Sequence, residues 1–199
     1  MVIINGAKKA ILLLICKNLA TTHTVTSLSK LLKMSRVGTW KVLKSLESEN
    51  LIALKQISSG KTSASLIGLQ WDNMVLIKYL ELYLTEESLQ QKRWKVNFAE
   101  LENVADFTIL YGSILHSTEK ANDIDIINIA QKKNFVKIQN ILDKAQKTQA
   151  KKIHSINFTA EEFRQELKNN EAFIDTVRTG VILFGQENFI RFIKNIHIK

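Results

Sequence analysis

The sequence of 199 residues contains no proline and only one cysteine, Cys16. A single cysteine excludes an internal disulfide, and with it the small secreted scaffolds that depend on such bridges. The lack of proline excludes collagen-like repeats and proline-rich linkers. Long apolar runs are also missing: the run at residues 10–16 ends at Lys17, whereas a membrane helix needs about 20 apolar residues. No small-residue cleavage site follows that run, so we predict no membrane span, no signal peptide and a cytoplasmic location.

Acidic residues are scarce in the first third of the chain. Residues 1–70 hold 10 Lys or Arg and 2 Asp or Glu, whereas residues 71–199 hold 18 and 17. The net charge of +9 therefore arises almost entirely in the first third. A basic module beside a nearly neutral one predicts two modules with different partners. The usual partner of a basic module is a polyanion, namely DNA, RNA or, less often, an acidic membrane.

The first 70 residues are predicted to form three helices followed by a β-hairpin. Thr26 and Ser35 are suitable N-caps for the second and third helices, and residues 58–61 form a turn. The predicted elements are helices over residues 7–19, 27–32 and 36–48 and strands over residues 51–57 and 63–69.

The most informative stretch is Met34-Ser35-Arg36-Val37-Gly38-Thr39-Trp40, followed by Leu43, Leu46, Glu47, Asn50, Leu51 and Ile52. This pattern resembles the winged helix-turn-helix family, in which a Ser-capped recognition helix ends in a Leu-Glu pair before an apolar pair opens the wing. Asn50 stands where the family usually has Gly, and Asn also accepts the left-handed conformation of a helix C′ residue.

The resemblance implies DNA binding, because a recognition helix fits the major groove and its first turns read the bases. We predict base contacts from Ser35, Arg36, Gly38 and Thr39 and phosphate contacts from Lys41, Lys44, Lys55 and Lys61. Winged helices also serve as protein-interaction or dimerisation modules, and that alternative stays open. The charge imbalance favours nucleic acid, and the helix layout favours DNA over RNA.

Residues 71–103 are predicted to be a helical connector. It consists of an apolar helix over residues 71–83 and a second helix over residues 86–103 that Thr85 caps. The apolar stripe of the connector predicts core packing or the face of a homodimer, since winged helices commonly bind DNA as dimers.

Two carboxylates at alternate positions mark the third part of the chain. Residues 107–111 predict a strand, Gly112 and Ser113 follow at once, and Asp123 and Asp125 begin a second strand over residues 123–127. Side chains two residues apart in a strand share a face, so both carboxylates present oxygen ligands side by side. Such a pair suits Mg²⁺, whose octahedron the phosphates of a substrate complete. Gly112 lets the backbone approach a phosphate, and Ser113 can donate a hydrogen bond to it.

The pattern consists of Gly112-Ser113, nine further residues, and then Asp-x-Asp at residues 123–125. This pattern resembles the signature of the nucleotidyltransferase superfamily, especially its minimal members. The resemblance extends over roughly residues 100–199, where the remaining predicted elements also fit. Those elements are a helix over residues 134–149, a strand over 153–158, a helix that Thr159 caps, a strand over 181–185 and a helix over 188–198.

The resemblance implies transfer of a nucleoside monophosphate to a hydroxyl of a protein, an RNA or a small molecule. Gly112 and Ser113 would hold the triphosphate, and Asp123 and Asp125 would hold the metals as the catalytic carboxylates. Active members usually carry a third carboxylate on a later strand. Here the strand at residues 152–158 contains no Asp or Glu, and Ser155 or Asn157 is expected in that place. Other sources of a third acid are Glu161, Glu162 or a second subunit.

We therefore predict an α+β protein with a winged helix at residues 1–70, a helical connector at 71–103 and a small mixed-sheet nucleotidyltransferase-like domain at 104–199. The expected function is DNA binding, as a transcription regulator that carries a degenerate or weakly active nucleotidyltransferase-like domain. The alternative is an active Mg²⁺-dependent nucleotidyltransferase that modifies a protein or RNA acceptor. A third hypothesis is an interaction protein, such as the antitoxin-like half of a pair with a small partner protein. The cofactors are Mg²⁺ and a nucleoside triphosphate if the site is functional, and none otherwise.

Overall fold

The computed structural model describes residues 6–18, 23–59 and 62–197. These residues form a mixed α+β protein, which confirms the predicted fold class at that level. The chain divides into two compact units, Met1–Tyr83 and Leu84–Lys199. Among the described residues, no helix has both the length and the apolar character that crossing a membrane requires.

Three helices and a two-stranded antiparallel sheet make up most of the first unit. The elements are α1 (Gly6–Lys17), α2 (Val25–Leu31), α3 (Arg36–Ser48), β1 (Ile52–Ser59), β2 (Thr62–Leu69) and the start of α4 (Met74–Gln90). Leu12, Leu28, Leu43 and Ile67 are buried, so each helix and β2 contributes to one core. The sheet pairs Ile52 with Leu69 and continues in register to the far end of β1.

The caps of α2 and α3 show how the sequence sets the helix starts. Ser35 caps α3 as predicted, because its side chain accepts a hydrogen bond from the Gly38 N–H at 3.0 Å. The predicted cap of α2 is wrong: Thr24, not Thr26, precedes that helix. Thr24 and Ser27 exchange side-chain and backbone hydrogen bonds, and this capping box satisfies two N-terminal N–H groups at once. At the other end of α3, Asn50 has the expected positive φ of 56°.

The predicted break in the connector is wrong. α4 continues through Thr85 to Gln90, and the Thr85 carbonyl accepts a hydrogen bond from the Ser88 hydroxyl inside the helix. Leu80, Leu84 and Ser88 are buried at four-residue spacing, so burial of one continuous face outweighs the local capping preference of Thr85. The single helix predicted over residues 86–103 is instead three pieces: the end of α4, α5 (Lys92–Asn97) and a 3₁₀ helix, Ala99–Asn103.

The second unit is built on a four-stranded sheet with strand order β5-β4-β3-β6. Its elements are β3 (Phe107–Tyr111), β4 (Asp123–Ile129), α6 (Phe135–Gln146), β5 (Lys152–Phe158), α7 (Ala160–Asn169), α8 (Glu171–Thr179), β6 (Val181–Phe184) and α9 (Gln186–His197). β4 is antiparallel to β3 and parallel to β5. α8 was not predicted from the sequence, although Asn170 caps it by accepting a hydrogen bond from the Ala172 N–H.

Helices cover both faces of this sheet. On one face, Leu110 and Ile126 pack in a core with Trp94 of α5 and Ile138 of α6. On the other face, aromatic rings of α7 and α9 surround Phe107, with ring centroids 5.4–6.2 Å away. Both faces of the sheet are therefore packed against apolar side chains.

A buried polar network fixes the register of the three strands β3, β4 and β5. Asn128 of β4 is fully buried. Its amide oxygen accepts a hydrogen bond from Thr108, and its amide nitrogen donates to Ser155 and Asn157, each at 3.0 Å. A slip of one residue would leave the buried Asn128 amide and Thr108 hydroxyl unpaired, which costs about 1–3 kcal/mol for each group. The network thereby determines which side chain of β5 lies beside the carboxylates of β4.

Candidate functional site

Strand pairing brings two carboxylates and a histidine together in the second unit. Asp123 and Asp125 are the first and third residues of β4 and share one face of the strand. Antiparallel pairing sets Tyr111 opposite Asp125 on one side. Parallel pairing sets His154 opposite Asp125 on the other side. Three neighbouring strands therefore build the site.

The histidine ring contacts both carboxylates. His154 Nδ1 lies 3.3 Å from Asp123 Oδ2 and 3.7 Å from Asp125 Oδ1. One possible ligand atom from each of the three side chains lies within 4.8 Å of the others, which is close enough to surround one metal ion. All three side chains are partly exposed, at 33%, 21% and 47% respectively for Asp123, Asp125 and His154. The cluster is therefore open to a ligand from solvent.

On β5, the strand where a third carboxylate was expected, His154 is the side chain that lies beside the two aspartates. Ser155 or Asn157 was expected beside the aspartates, and the structure corrects this expectation. Both of those side chains hydrogen bond to Asn128, which lies on the opposite face of the sheet from Asp125. The histidine was missed because its face depends on strand register, which the pattern of residues 152–158 does not reveal.

The electrostatics of the cluster favour a bound cation. Burial raises the pKa of Asp125 first, the neighbouring Asp123 carboxylate raises it further, and His154 opposes both effects. Burial, followed by the charges of Asp125 and Asp123, also raises the pKa of Tyr111. Both shifts arise because negative charge accumulates in a partly desolvated place, and a divalent cation there would relieve the repulsion.

Gly112 lies directly against the carboxylate of Asp125. Its backbone has φ 82° and ψ −164°, a region that essentially only glycine occupies. A Cβ added at Gly112 would lie 2.5 Å from Asp125 Oδ2. Ser113 follows as an exposed residue at the start of a short 3₁₀ helix, Ser113–Leu115. The structure thus places Gly112 beside Asp125, with Ser113 next along the chain.

A cavity of about 510 Å³ adjoins this cluster. Asp125, His154 and Tyr111 line it together with side chains of α6 and β5, including Asp143 and Gln139. Its volume is in the range of small-molecule sites. Its lining contains no Lys or Arg among the described residues. A phosphate group could be held beside these carboxylates only with a cation between them, since like charges repel.

Glu161 and Glu162 do not supply the missing acid in this arrangement. Glu162 accepts hydrogen bonds from the N–H and hydroxyl of Thr159 and pairs with Lys132 at 3.1 Å. These donors, led by the Thr159 N–H, lower the pKa of Glu162 to about 2. Glu161 pairs with Arg164. Both acids lie in the first turn of α7, after β5, and the end of β5 at Phe158 is about 13 Å from His154 along an extended strand.

The first unit carries the predicted nucleic-acid contacts on α3 and β1. Arg36, Lys41, Lys44 and Lys55 are exposed. Lys44 also lies over the ring of Trp40 and pairs with Glu47 at 2.6 Å.

Three further residues predicted to contact DNA are Thr39, Ser35 and Lys61. Thr39 is fully buried and donates to the Ser35 carbonyl, so it is not available to a base, which corrects the prediction. The Ser35 side chain is engaged in capping α3. Lys61 lies outside the described residues.

The charge on α3 is unevenly distributed along the helix. Glu47 and Glu49 are the only acidic residues of the first 70, and both lie at its C-terminal end. Glu47 pairs with Lys44, and Glu49 with Lys8. Within the described part of the chain, no acidic side chain pairs with Arg36 or Lys41. The N-terminal half of α3 therefore presents uncompensated positive charge to solvent.

Comparison with known protein families, with curated proteins and with solved structures finds no match to this chain.

Proposed function

We propose that this protein binds duplex DNA through α3 of its first unit and regulates transcription. The first unit would act as a winged helix-turn-helix module, and the second as a nucleotidyltransferase-like domain. The observation that carries the DNA-binding proposal is the exposed positive charge of Arg36 and Lys41, which no acidic side chain of the described residues pairs with. Both residues lie on a capped helix whose acids are confined to its other end.

An exposed helix of this kind suits the major groove. Its N-terminal residues would approach base edges while flanking lysines approach phosphates. Arg36 is the residue that we propose for base reading, because a guanidinium can donate two hydrogen bonds to guanine. Lys41, Lys44 and Lys55 are proposed for phosphate contacts. Binding of Lys44 to phosphate would compete with its ion pair to Glu47, so we expect its contribution to be smaller than that of Lys41.

Fluorescence anisotropy of the full chain on labelled duplexes, selected from a random pool, tests this proposal. Affinity should fall with rising salt, because phosphate contacts release counterions. Lys41→Ala should weaken binding to all duplexes and reduce the slope of log affinity against log salt by about one. Arg36→Ala should cost about 1–3 kcal/mol on the selected site and relax the sequence preference.

Lys137→Ala is the matched control, since it removes an exposed lysine of α6 in the second unit. It should leave both affinity and salt slope unchanged. Absence of salt-dependent binding to any duplex would refute the DNA-binding proposal.

For the second unit we propose a metal-dependent site for a nucleoside triphosphate. Asp123 and Asp125 would hold the metal, and Gly112 and Ser113 would bind the phosphates. The metal would offset the charge that develops on the transferred phosphoryl group. Supporting observations are the approach of the Gly112 backbone to Asp125 and the adjoining cavity, whose acidic lining requires a cation to hold phosphate.

The alternative of an active enzyme is favoured by one observation. His154 gives the cluster a third ligand atom in the place where the resemblance implies a carboxylate. Such an enzyme would transfer a nucleoside monophosphate to an acceptor hydroxyl and release pyrophosphate. Label transfer from an α-labelled triphosphate to a protein or RNA acceptor, lost in Asp125→Asn, would support it.

Equilibrium binding of nucleoside triphosphates, with and without Mg²⁺, tests the site itself. The double variant Asp123→Asn, Asp125→Asn should lose the Mg²⁺-dependent binding. The double variant Asp175→Asn, Glu187→Gln is the charge-matched control, because both acids are exposed on the outer helices α8 and α9. If the unchanged protein binds no triphosphate, the nucleotide proposal is wrong and the DNA-binding proposal is unaffected.

A further inference from the structure

We infer that His154 is the third ligand of the metal site and that this site selects a divalent first-row transition ion, such as Mn²⁺ or Co²⁺, over Mg²⁺. The inference rests on the proposed function, because it names the class of metal that the same site takes.

The placement of His154 is set by the backbone. The parallel register of β4 and β5 pairs it with Asp125, and the Asn128 network on the opposite face holds that register. The Nδ1 atom lies 3.3 Å and 3.7 Å from one oxygen of each aspartate. The ring nitrogen and the two carboxylates therefore converge without any rearrangement of the strands.

The donor set decides the metal. Mg²⁺ is a hard ion that binds carboxylate, phosphate and water oxygens, and an imidazole nitrogen is a poor ligand for it. Imidazole suits transition ions, and carboxylates also suit Mn²⁺. Replacing a third carboxylate by a neutral histidine removes one negative charge and adds one nitrogen donor. Both changes weaken the preference for Mg²⁺ relative to ions that accept nitrogen.

The site also leaves room for further ligands. The three side chains are partly exposed, and Asp125 and His154 line the cavity of about 510 Å³. Three protein ligands leave coordination positions for water or for the phosphate oxygens of a nucleotide. This arrangement is typical of a reactive metal site rather than of a closed structural one.

An ion pair between protonated His154 and the aspartates would hold the same groups together without a metal. The two explanations differ in their consequences when metal is added. A histidine that binds the metal must be neutral and form a bond from its nitrogen to the ion. A protonated histidine that only pairs with the aspartates would instead compete with the ion for their carboxylates. Direct detection of the nitrogen–metal bond therefore separates them.

Isothermal titration calorimetry of the metal-stripped full chain with MnCl₂, CoCl₂ and MgCl₂ gives the affinities. Pulsed electron paramagnetic resonance of the Mn²⁺ complex reports ¹⁴N coupling from a bound imidazole. We expect tighter binding of Mn²⁺ and Co²⁺ than of Mg²⁺, with ¹⁴N coupling present. His154→Ala should lower Mn²⁺ affinity by at least about tenfold, remove the ¹⁴N coupling and change Mg²⁺ affinity little.

His154→Asp supplies a second, independent variant. It provides a third carboxylate and should shift the preference towards Mg²⁺ while also removing the ¹⁴N coupling. His116→Ala is the matched control, because it removes another exposed histidine of the same unit. It should leave the affinities and the coupling unchanged.

The outcomes distinguish this inference from the proposed function. If Mg²⁺ binds as tightly as Mn²⁺, or if His154→Ala leaves Mn²⁺ affinity and the ¹⁴N coupling intact, the inference is overturned while Mg²⁺-dependent triphosphate binding still stands. If the unchanged protein binds none of the three ions, alone or with a nucleoside triphosphate, both the inference and the proposed metal-dependent nucleotide site fail.

Discussion

Replacement of Gly112 by alanine tests the candidate site through a single methyl group. The residue has φ 82° and ψ −164°, and a Cβ at this position would lie 2.5 Å from Asp125 Oδ2. Two separate costs follow. The backbone must hold alanine in a region that almost only glycine occupies, and the carboxylate of Asp125 must move away from the new methyl group.

A non-glycine residue in such a backbone region costs about 1–3 kcal/mol. The contact is made by the end of the Asp125 side chain, which is 21% exposed and can rotate, so its relief costs about 1 kcal/mol of rotamer strain. We therefore expect Gly112→Ala to lower the free energy of unfolding of the second unit by about 2–4 kcal/mol. The displaced carboxylate should also weaken divalent-metal binding.

Urea unfolding followed by tryptophan fluorescence measures the first effect. Trp94 is buried in the second unit, and a background with Trp40→Phe and Trp71→Phe makes it the only reporter. Calorimetric titration with MnCl₂ measures the second effect.

A double-mutant cycle separates the two costs. In an Asp125→Ala background, Gly112→Ala should retain the backbone cost and lose the contact cost. If Gly112→Ala is as stable as the parent and binds metal equally well, our account of the close approach between Gly112 and Asp125 is wrong.

Three further predictions concern stability and are measured by urea unfolding of the full chain. Asn128→Ala removes three hydrogen bonds and leaves the fully buried Thr108 hydroxyl without its acceptor. It should destabilise the second unit by about 2–3 kcal/mol, and a loss below about 1 kcal/mol would contradict the role of the network. His23 is 2% exposed, and no described residue hydrogen bonds to its ring, so burial lowers the pKa of His23 below its usual 6.5. The unfolded chain then binds the proton more readily, so the free energy of unfolding should fall as the pH drops below about 6.5. The fall should be at most about 1.4 kcal/mol per pH unit, and His23→Leu should abolish this contribution. Ser35→Ala should cost about 1 kcal/mol by removing the cap of α3, whereas Ser35→Asp should retain most of the stability; equal losses in both variants would argue against capping.

Local signals were sufficient to predict most of the elements. Ser35 and Thr159 mark helix starts by short-range hydrogen bonding, and the structure confirms both caps. The strand at Phe107–Tyr111 was predicted to the residue, because a short apolar run ends at a glycine. Errors arose where tertiary burial overrode a local preference. The continuous buried face of α4, which runs past Thr85, is the clearest example.

The sequence by itself determined that Asp123 and Asp125 share one face, because strand alternation follows from backbone geometry alone. It also determined the concentration of positive charge in the first unit. Only the tertiary structure decided that His154, rather than Ser155 or Asn157, completes the cluster. The reason is that β5 joins β4 through a helical crossover, so its register depends on buried contacts such as those of Asn128, and a shift of one residue would turn the opposite set of side chains towards the aspartates.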